Sequence, residues 1–206
     1  MLYRHNIFIS IFLTIFFTIS LGLQAKSSSI NISPEDIITP KQQAKYFENR
    51  LGAIEVGVTD MKTLEWYIGE GETVKNGNRE RTYYVDPKNH KTLIADTNSQ
   101  GIIEVVTYRG YVDLPPGYTN PKEIKISKKI NIKNLMTSTG SRIGYSYSRI
   151  MSAYGKPSVD IKNKNSRELK YIMLGSLHNE IDFVYLEYSF RLLNNKVVEI
   201  RIENGK

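Results

Sequence analysis

One pattern occurs twice in this chain: a short apolar stripe with helical spacing that ends at a glycine, followed by strand-like segments. The two stripes and their glycines are Met61, Leu64, Ile68 and Gly69, and Ile150, Met151, Tyr154 and Gly155. Apolar residues three and four positions apart share one face of a helix, and a following glycine favours its end. The pattern predicts an α+β protein made of two tandem helix-plus-antiparallel-sheet repeats, at residues 54–111 and 141–206.

The segments after each stripe predict six strands with turns between them. These strands are 81–85, 91–95, 102–109, 168–174, 181–192 and 196–203. In the fifth strand, alternation places Tyr188 on an apolar face, with Tyr185 and Arg191 on the opposite, polar face. In the last strand, the predicted apolar face is Val198, Ile200 and Ile202. Asn194-Asn195 predicts a tight hairpin, because Asn tolerates positive φ.

Residues 112–140 form a predicted Lys-rich connector between the repeats. Isoleucine and lysine alternate in residues 122–133, which predicts one or two strands at a sheet edge, where lysine discourages further strand pairing. The lysines are Lys122, Lys125, Lys128, Lys129 and Lys133. They are also the candidate residues for a weak contact with an anionic surface.

The N-terminus has the form of an export signal. Arg4 precedes a nearly continuous apolar run from Ile7 to Leu23, and Ala25 supplies a small residue for cleavage. We predict a signal peptide at 1–25, which places the mature protein in the periplasm or outside the cell. An uncleaved signal anchor is the alternative. Residues 26–53 form an N-terminal segment whose predicted helix begins near Thr39 and includes Leu51.

Composition narrows the possible chemistry. The chain has no cysteine, which excludes disulfides, thiol catalysis and a lipid-modified cysteine. Neither His90 nor His178 has the spacing of a metal site, and we predict no metal, cofactor or catalytic residue. The net charge of +7 weakly favours acidic partners, but the chain has no nucleic-acid-binding motif. Glu65 and Glu70 are the remaining candidates if the protein is a hydrolase.

Three motifs together resemble a group of small exported proteins. They are Ile143-Gly144, Tyr154-Gly155-Lys156-Pro157, and the closing Val197-Val198-Glu199-Ile200-Arg201-Ile202 strand. Over roughly residues 54–203, the chain resembles tandem SmpA/OmlA (BamE-like) and β-lactamase-inhibitor-protein-like modules. The second resemblance implies two repeats that present an open sheet to another protein. The chain lacks the acylated cysteine of the first group and the disulfides of the second, so no contact residues are transferred.

Tyrosine is abundant, with 14 in the chain. Tyr is enriched in protein interfaces, although it is also a good strand former. We therefore predict an exported, non-enzymatic protein-binding module: a periplasmic inhibitor, an immunity protein or an envelope accessory protein. The candidate contact residues are Trp66, Tyr108, Tyr185 and Arg191. The alternative is a protein that binds cell-envelope polymer or a lipid surface through the Lys-rich connector.

Overall fold

The structure of the protein is a computed structural model that describes residues 48–77, 79–124, 131–176 and 183–205. The chain divides into two units, residues 1–32 and 33–206, and all described residues belong to the second. Several predictions lie outside the described residues. They are the signal peptide 1–25, the start of the helix near Thr39, and Lys125, Lys128, Lys129 and His178.

The described residues form ten β-strands, two α-helices and one 3₁₀ helix. The strands are β1 (Arg50–Leu51), β2 (Ile54–Glu55), β3 (Glu72–Asn76), β4 (Arg79–Asp86), β5 (Lys91–Thr97), β6 (Ile103–Arg109), β7 (Val159–Lys162), β8 (Ser166–Ser176), β9 (Phe183–Leu193) and β10 (Lys196–Gly205). The helices are α1 (Met61–Ile68), α2 (Tyr147–Tyr154) and the 3₁₀ helix Pro121–Glu123. This part of the chain is mostly β, so the predicted α+β class is wrong.

Both α-helices contain the predicted apolar stripes and end at the predicted glycines. The Asp60 side chain accepts a hydrogen bond from the Thr63 backbone N–H at 2.8 Å and caps the start of α1. Gly69 ends this helix with a φ of 92°, a conformation that strongly favours glycine. Ser146 and Gly155 take the same two positions around α2. These caps depend on a few adjacent residues, which is why the sequence alone predicts them.

The eight longer strands form one antiparallel sheet in the order β3-β4-β5-β6-β10-β9-β8-β7. The pairing of β6 with β10, in which Arg109 lies opposite Glu199, joins the strands that follow α1 to those that follow α2. The prediction of two helix-plus-sheet repeats is therefore wrong, because one continuous sheet replaces the two expected units. Alternation along a strand shows which face a side chain occupies, but not which strand lies beside it.

The two α-helices cover one face of this sheet, which we call the inner face. Leu64 and Ile68 of α1 and Ile150 and Tyr154 of α2 are buried in the same core cluster as the inner-face side chains. The Tyr154 ring lies 5.1–5.4 Å from the rings of Tyr171, Tyr188 and Phe190, between centroids. The predicted apolar face of β9 is confirmed, because Leu186, Tyr188, Phe190 and Leu192 are all buried.

A β-bulge in β10 changes one predicted face. The register with β9 shifts between Val197 and Glu199. Val197 is consequently buried in the core with Ile200 and Ile202, whereas Val198 is only half-buried. The prediction that Val198 shares the apolar face is wrong, because a bulge inserts one residue and reverses the alternation on one side of it.

The opposite side of the sheet, which we call the outer face, is covered over β4 and β5. Tyr83, Val85 and Ile94 form a second buried cluster with Ile124. Val112, Leu114 and Tyr118 pack against this cluster, so residues 112–124 lie across that half of the face. Lys122 is in the 3₁₀ helix and not in an edge strand, which corrects the prediction for the described part of the connector.

Residues 48–51 also differ from the prediction. Leu51 belongs to β1 and not to a helix. The Glu48 carboxylate is fully buried and accepts hydrogen bonds from the backbone N–H groups of Ser138 (2.7 Å) and Thr139 (3.1 Å) and from the Tyr154 hydroxyl (3.0 Å). These contacts fix the segment before β1 against the 137–141 turn and α2.

Candidate functional site

The outer face of β6, β10, β9 and β8 carries a row of alternating charges. Arg109, Glu199, Arg191 and Glu168 lie directly opposite one another on successive strands. The Arg109 Nε and Glu199 Oε2 atoms are 2.7 Å apart. Opposite charges in direct cross-strand pairs stabilise a sheet, and like charges destabilise it. The alternation of positive and negative side chains therefore favours this arrangement of strands. The same side chains form a polar surface.

A second group of charges surrounds two carboxylates that face each other. Glu203 lies directly opposite Glu187 in the β10–β9 pairing. The Arg201 guanidinium is 2.7 Å from Glu203 Oε2, and Lys170 Nζ is 3.2 Å from Glu187 Oε1. These two cations offset the repulsion between the carboxylates. Across the four strands, four cations balance four carboxylates: Arg109, Arg191, Arg201 and Lys170, and Glu199, Glu168, Glu203 and Glu187.

Arg191 is the exposed cation of this surface. Its guanidinium lies 5.9 Å from the centre of the Tyr111 ring, and it forms no ion pair within the part of the chain that the structure describes. An Arg held beside an aromatic ring keeps its planar donors available for a partner. Arg191 is therefore the group on this face that is best placed to form new charged hydrogen bonds.

Tyr185 lies near the other end of β9, packed over Gly205. A Cβ atom at residue 205 would lie 2.4 Å from Tyr185 Cδ1, so only glycine allows the ring to lie so close to β10. The Tyr185 hydroxyl donates a hydrogen bond to Glu187 Oε2 at 3.1 Å. Burial, together with the charge of Glu187, raises the pKa of Tyr185 to about 12. The phenol is therefore neutral at physiological pH.

The four predicted contact residues do not form one surface. Tyr185 and Arg191 share the outer face of β9, but six residues of strand separate them by about 20 Å. Trp66 is 73% exposed and lies on α1, which covers the inner face. Tyr108 is only 1% exposed, and its hydroxyl donates to the Ile132 carbonyl at 2.6 Å. Tyr108 is a core residue, which corrects its assignment as a contact residue.

Sequence reasoning missed most of the charged row. The alternation in β10 identified the polar face of Glu199, Arg201 and Glu203, but it did not show which residues lie beside them. Arg109 and Glu199 are distant in sequence, and only the β6–β10 register brings them together. A row that crosses strands therefore leaves no local signal in the sequence.

The described ranges show neither a metal cluster nor a membrane-spanning helix. Across residues 48–77, 79–124, 131–176 and 183–205, no group of three or more His, Asp or Glu side chains is arranged to hold a metal ion. In the same ranges, no helix has the length and apolar character needed to cross a membrane.

Comparisons with known proteins give distant structural matches. No protein-family model matches this sequence, and no curated protein matches it. A DUF4309 family protein (YjgB) from Bacillus subtilis matches with a TM-score of 0.41 and 9% identity, over 74% of this chain and 83% of that one. A cysteine-rich secretory protein from Staphylococcus aureus matches with a TM-score of 0.39 and 14% identity, over 72% of this chain and 44% of that one.

A candidate beta-lactamase inhibitor protein from Streptococcus mutans also matches, with a TM-score of 0.25 and 14% identity, over 75% of this chain and 90% of that one. The SmpA/OmlA resemblance finds no support among these structures. At these TM-scores, the matches do not assign a function to the chain.

Proposed function

We propose that this protein is an exported, non-enzymatic module that binds another protein through the outer face of β6, β10, β9 and β8. One observation carries the proposal. Residues 112–124 cover the outer face of β4 and β5, whereas the outer face of the neighbouring strands carries the balanced set of charges that includes Arg191 and Glu168. The role that fits this proposal is that of a periplasmic or secreted inhibitor, immunity protein or envelope accessory protein.

The charges of this surface are suited to specific recognition. Arg109, Arg201 and Lys170 are each held by a carboxylate, so binding would order few additional side chains. Arg and Tyr are enriched among the residues that contribute most to interface energy. Because this face carries equal numbers of cations and carboxylates, we expect its partner to have a surface with charges of both signs. We also expect binding to depend only modestly on salt concentration.

The test is a pull-down with the full chain carrying a C-terminal affinity tag, from envelope and secreted fractions of the source organism. We expect one protein to be captured in stoichiometric amount. Arg191→Ala should weaken its binding about tenfold or more, which corresponds to roughly 1.4 kcal/mol. Lys62→Ala removes one exposed cation from α1 instead, and it should leave binding unchanged.

Two results would contradict this assignment. If Arg191→Ala and Glu168→Ala both retain the partner while Trp66→Ala loses it, the contact surface is on α1. If the tagged chain recovers only polymer or lipid, and high salt abolishes that binding, the Lys-rich connector is the better explanation. That alternative uses Lys122 and Lys133 of the described residues and predicts a steep loss of binding with ionic strength.

A further inference from the structure

A cavity of about 320 Å³ lies at the end of the sheet where β5 begins, and the inner-face residue Tyr108 is part of its lining. Three cations line it: Lys91 at the start of β5, and Lys133 and Arg142 from the segments before α2. Asn89 and Asn134 are also among the lining residues. No Asp or Glu is among the described residues that line it. The cavity therefore combines positive charge with hydrogen-bond donors.

The three cations have no carboxylate partner among the residues that the structure describes. In the described part of the chain, Lys91, Lys133 and Arg142 form no ion pair, whereas Arg109, Arg201 and Lys170 on the sheet all do. Three like charges around one cavity repel one another, and the repulsion is least screened at the half-buried Lys91, because Lys133 and Arg142 are exposed to water. An anion in the cavity would remove that repulsion.

Lys91 is the most informative of the three because it is half-buried. Its Nζ atom lies 5.7 Å from the centre of the Tyr108 ring. Asp86 lies opposite Lys91 in the β4–β5 pairing, but its carboxylate instead accepts hydrogen bonds from the backbone N–H (3.0 Å) and side-chain amide (2.7 Å) of Asn89. Burial lowers the pKa of Lys91.

The wall of the cavity is held in place by contacts within the protein. The Tyr108 hydroxyl donates to the Ile132 carbonyl at 2.6 Å and lies 3.0 Å from the Lys133 carbonyl oxygen. These contacts fix the segment that carries Lys133, Asn134 and Leu135. Leu135 and Ile143 add apolar surface to the wall. A site whose wall is ordered before the ligand arrives loses less conformational entropy on binding.

We infer that this cavity binds the phosphate group of a small phosphate ester. A phosphate carries close to two negative charges and several acceptor oxygens. It can therefore pair with more of the donors of two lysines, an arginine and the Asn134 amide than a ligand carboxylate, which carries one charge. The cavity lies in the lower range of volumes that hold small organic ligands, so it has space for more than a free phosphate ion. Leu135 and Ile143 would contact the organic part of the ester.

Isothermal titration calorimetry with the purified full chain tests this inference. The probes are glycerol 3-phosphate, inorganic phosphate and glycerol, at constant ionic strength. We expect saturable one-to-one binding of glycerol 3-phosphate, weaker binding of inorganic phosphate and no binding of glycerol. Arg142→Gln should weaken binding of the ester about tenfold or more, because a charged hydrogen bond is lost.

Arg149→Gln is the matched control. Arg149 and Arg142 both lie over the Tyr145 ring, at 3.9 and 5.4 Å from its centre, but Arg149 does not line the cavity. Equal losses in the two variants would show non-specific attraction and overturn the inference. So would the absence of saturable binding, or inorganic phosphate binding as tightly as the ester. Lys91→Gln should reproduce the loss, and if it unfolds the protein, the exposed Arg142 still provides the test.

Discussion

At the residue scale, two buried tyrosines differ in the hydrogen bonding of their hydroxyl groups. The Tyr154 hydroxyl lies 2.8 Å from Thr137 Oγ1 and donates to the buried Glu48 carboxylate. The Tyr84 hydroxyl is buried and has no hydrogen-bond partner in the described residues. A buried charge is tolerated when donors surround it, whereas a buried hydroxyl without a partner costs desolvation energy. Tyr154 thus stabilises the fold through its hydroxyl, and Tyr84 through its ring.

We predict that the two Tyr→Phe variants differ in stability. Tyr154→Phe should lower the free energy of unfolding by about 1–3 kcal/mol, because it removes a donor from a buried carboxylate. Tyr84→Phe should leave stability unchanged or raise it by up to about 1 kcal/mol, because it removes an unpaired polar atom. Urea unfolding followed by circular dichroism measures both. Equal losses would mean that the hydroxyl of Tyr84 has a partner in solution.

At the scale of the element, the β10 bulge decides which side chains reach the core. Val197 is 1% exposed, and its neighbour Val198 is half-buried on the other side of the strand. The Gly110 backbone N–H donates to the Val198 carbonyl at 2.7 Å, so the bulged residue still contributes to the backbone hydrogen bonds near the end of β6. The bulge thus preserves the join between β6 and β10 while it turns Val197 inward.

This geometry predicts unequal effects of two adjacent Val→Ala substitutions. Val197→Ala should lower the free energy of unfolding by roughly 1.5–3 kcal/mol, because it removes buried methyl groups and leaves a cavity. Val198→Ala should cost less than about 1 kcal/mol, because that side chain is only partly buried. Chemical denaturation of the two variants measures the difference. The reverse order of losses would mean that β10 has no bulge and that regular alternation continues along it.

At the scale of the whole molecule, several tyrosine side chains are fully buried in the core. Burial raises the pKa of Tyr108 to about 12, and burial with the charge of Glu48 raises the pKa of Tyr154 to about 12. Burial also raises the pKa of Tyr84 and Tyr171. In the folded protein these groups keep their protons at pH values where an unfolded tyrosine, with a pKa of about 10, loses them.

We predict that the protein loses stability in alkaline solution over the range from about pH 10 to about pH 12. Below about pH 10, both states are protonated and these groups cause no pH dependence. Above it, the unfolded chain releases protons that the folded chain retains, so unfolding becomes progressively easier. Ultraviolet absorbance should show a set of tyrosines that ionise only as the protein unfolds. Ionisation of every tyrosine together near pH 10, with the fold intact, would contradict the burial of these rings.

The sequence by itself determined the local features of this protein. It placed both α-helices from their apolar stripes and terminal glycines. It also placed six of the strands, the apolar face of β9 and the Asn194-Asn195 hairpin, where both residues have positive φ. Each of these depends on side-chain period or on a few adjacent residues. The signal peptide and the export that it implies rest on the same kind of local pattern and stay predictions.

Only the tertiary structure decided which strands lie side by side and which residues are covered. The β6–β10 pairing, the row from Arg109 to Glu168, the burial of Tyr108 and the cover of residues 112–124 all join segments that are distant in the chain. The cavity around Lys91 has the same origin, because its cations come from separate segments. Strand alternation has the same period whatever the neighbour, so the sequence pattern cannot distinguish two small sheets from one continuous sheet.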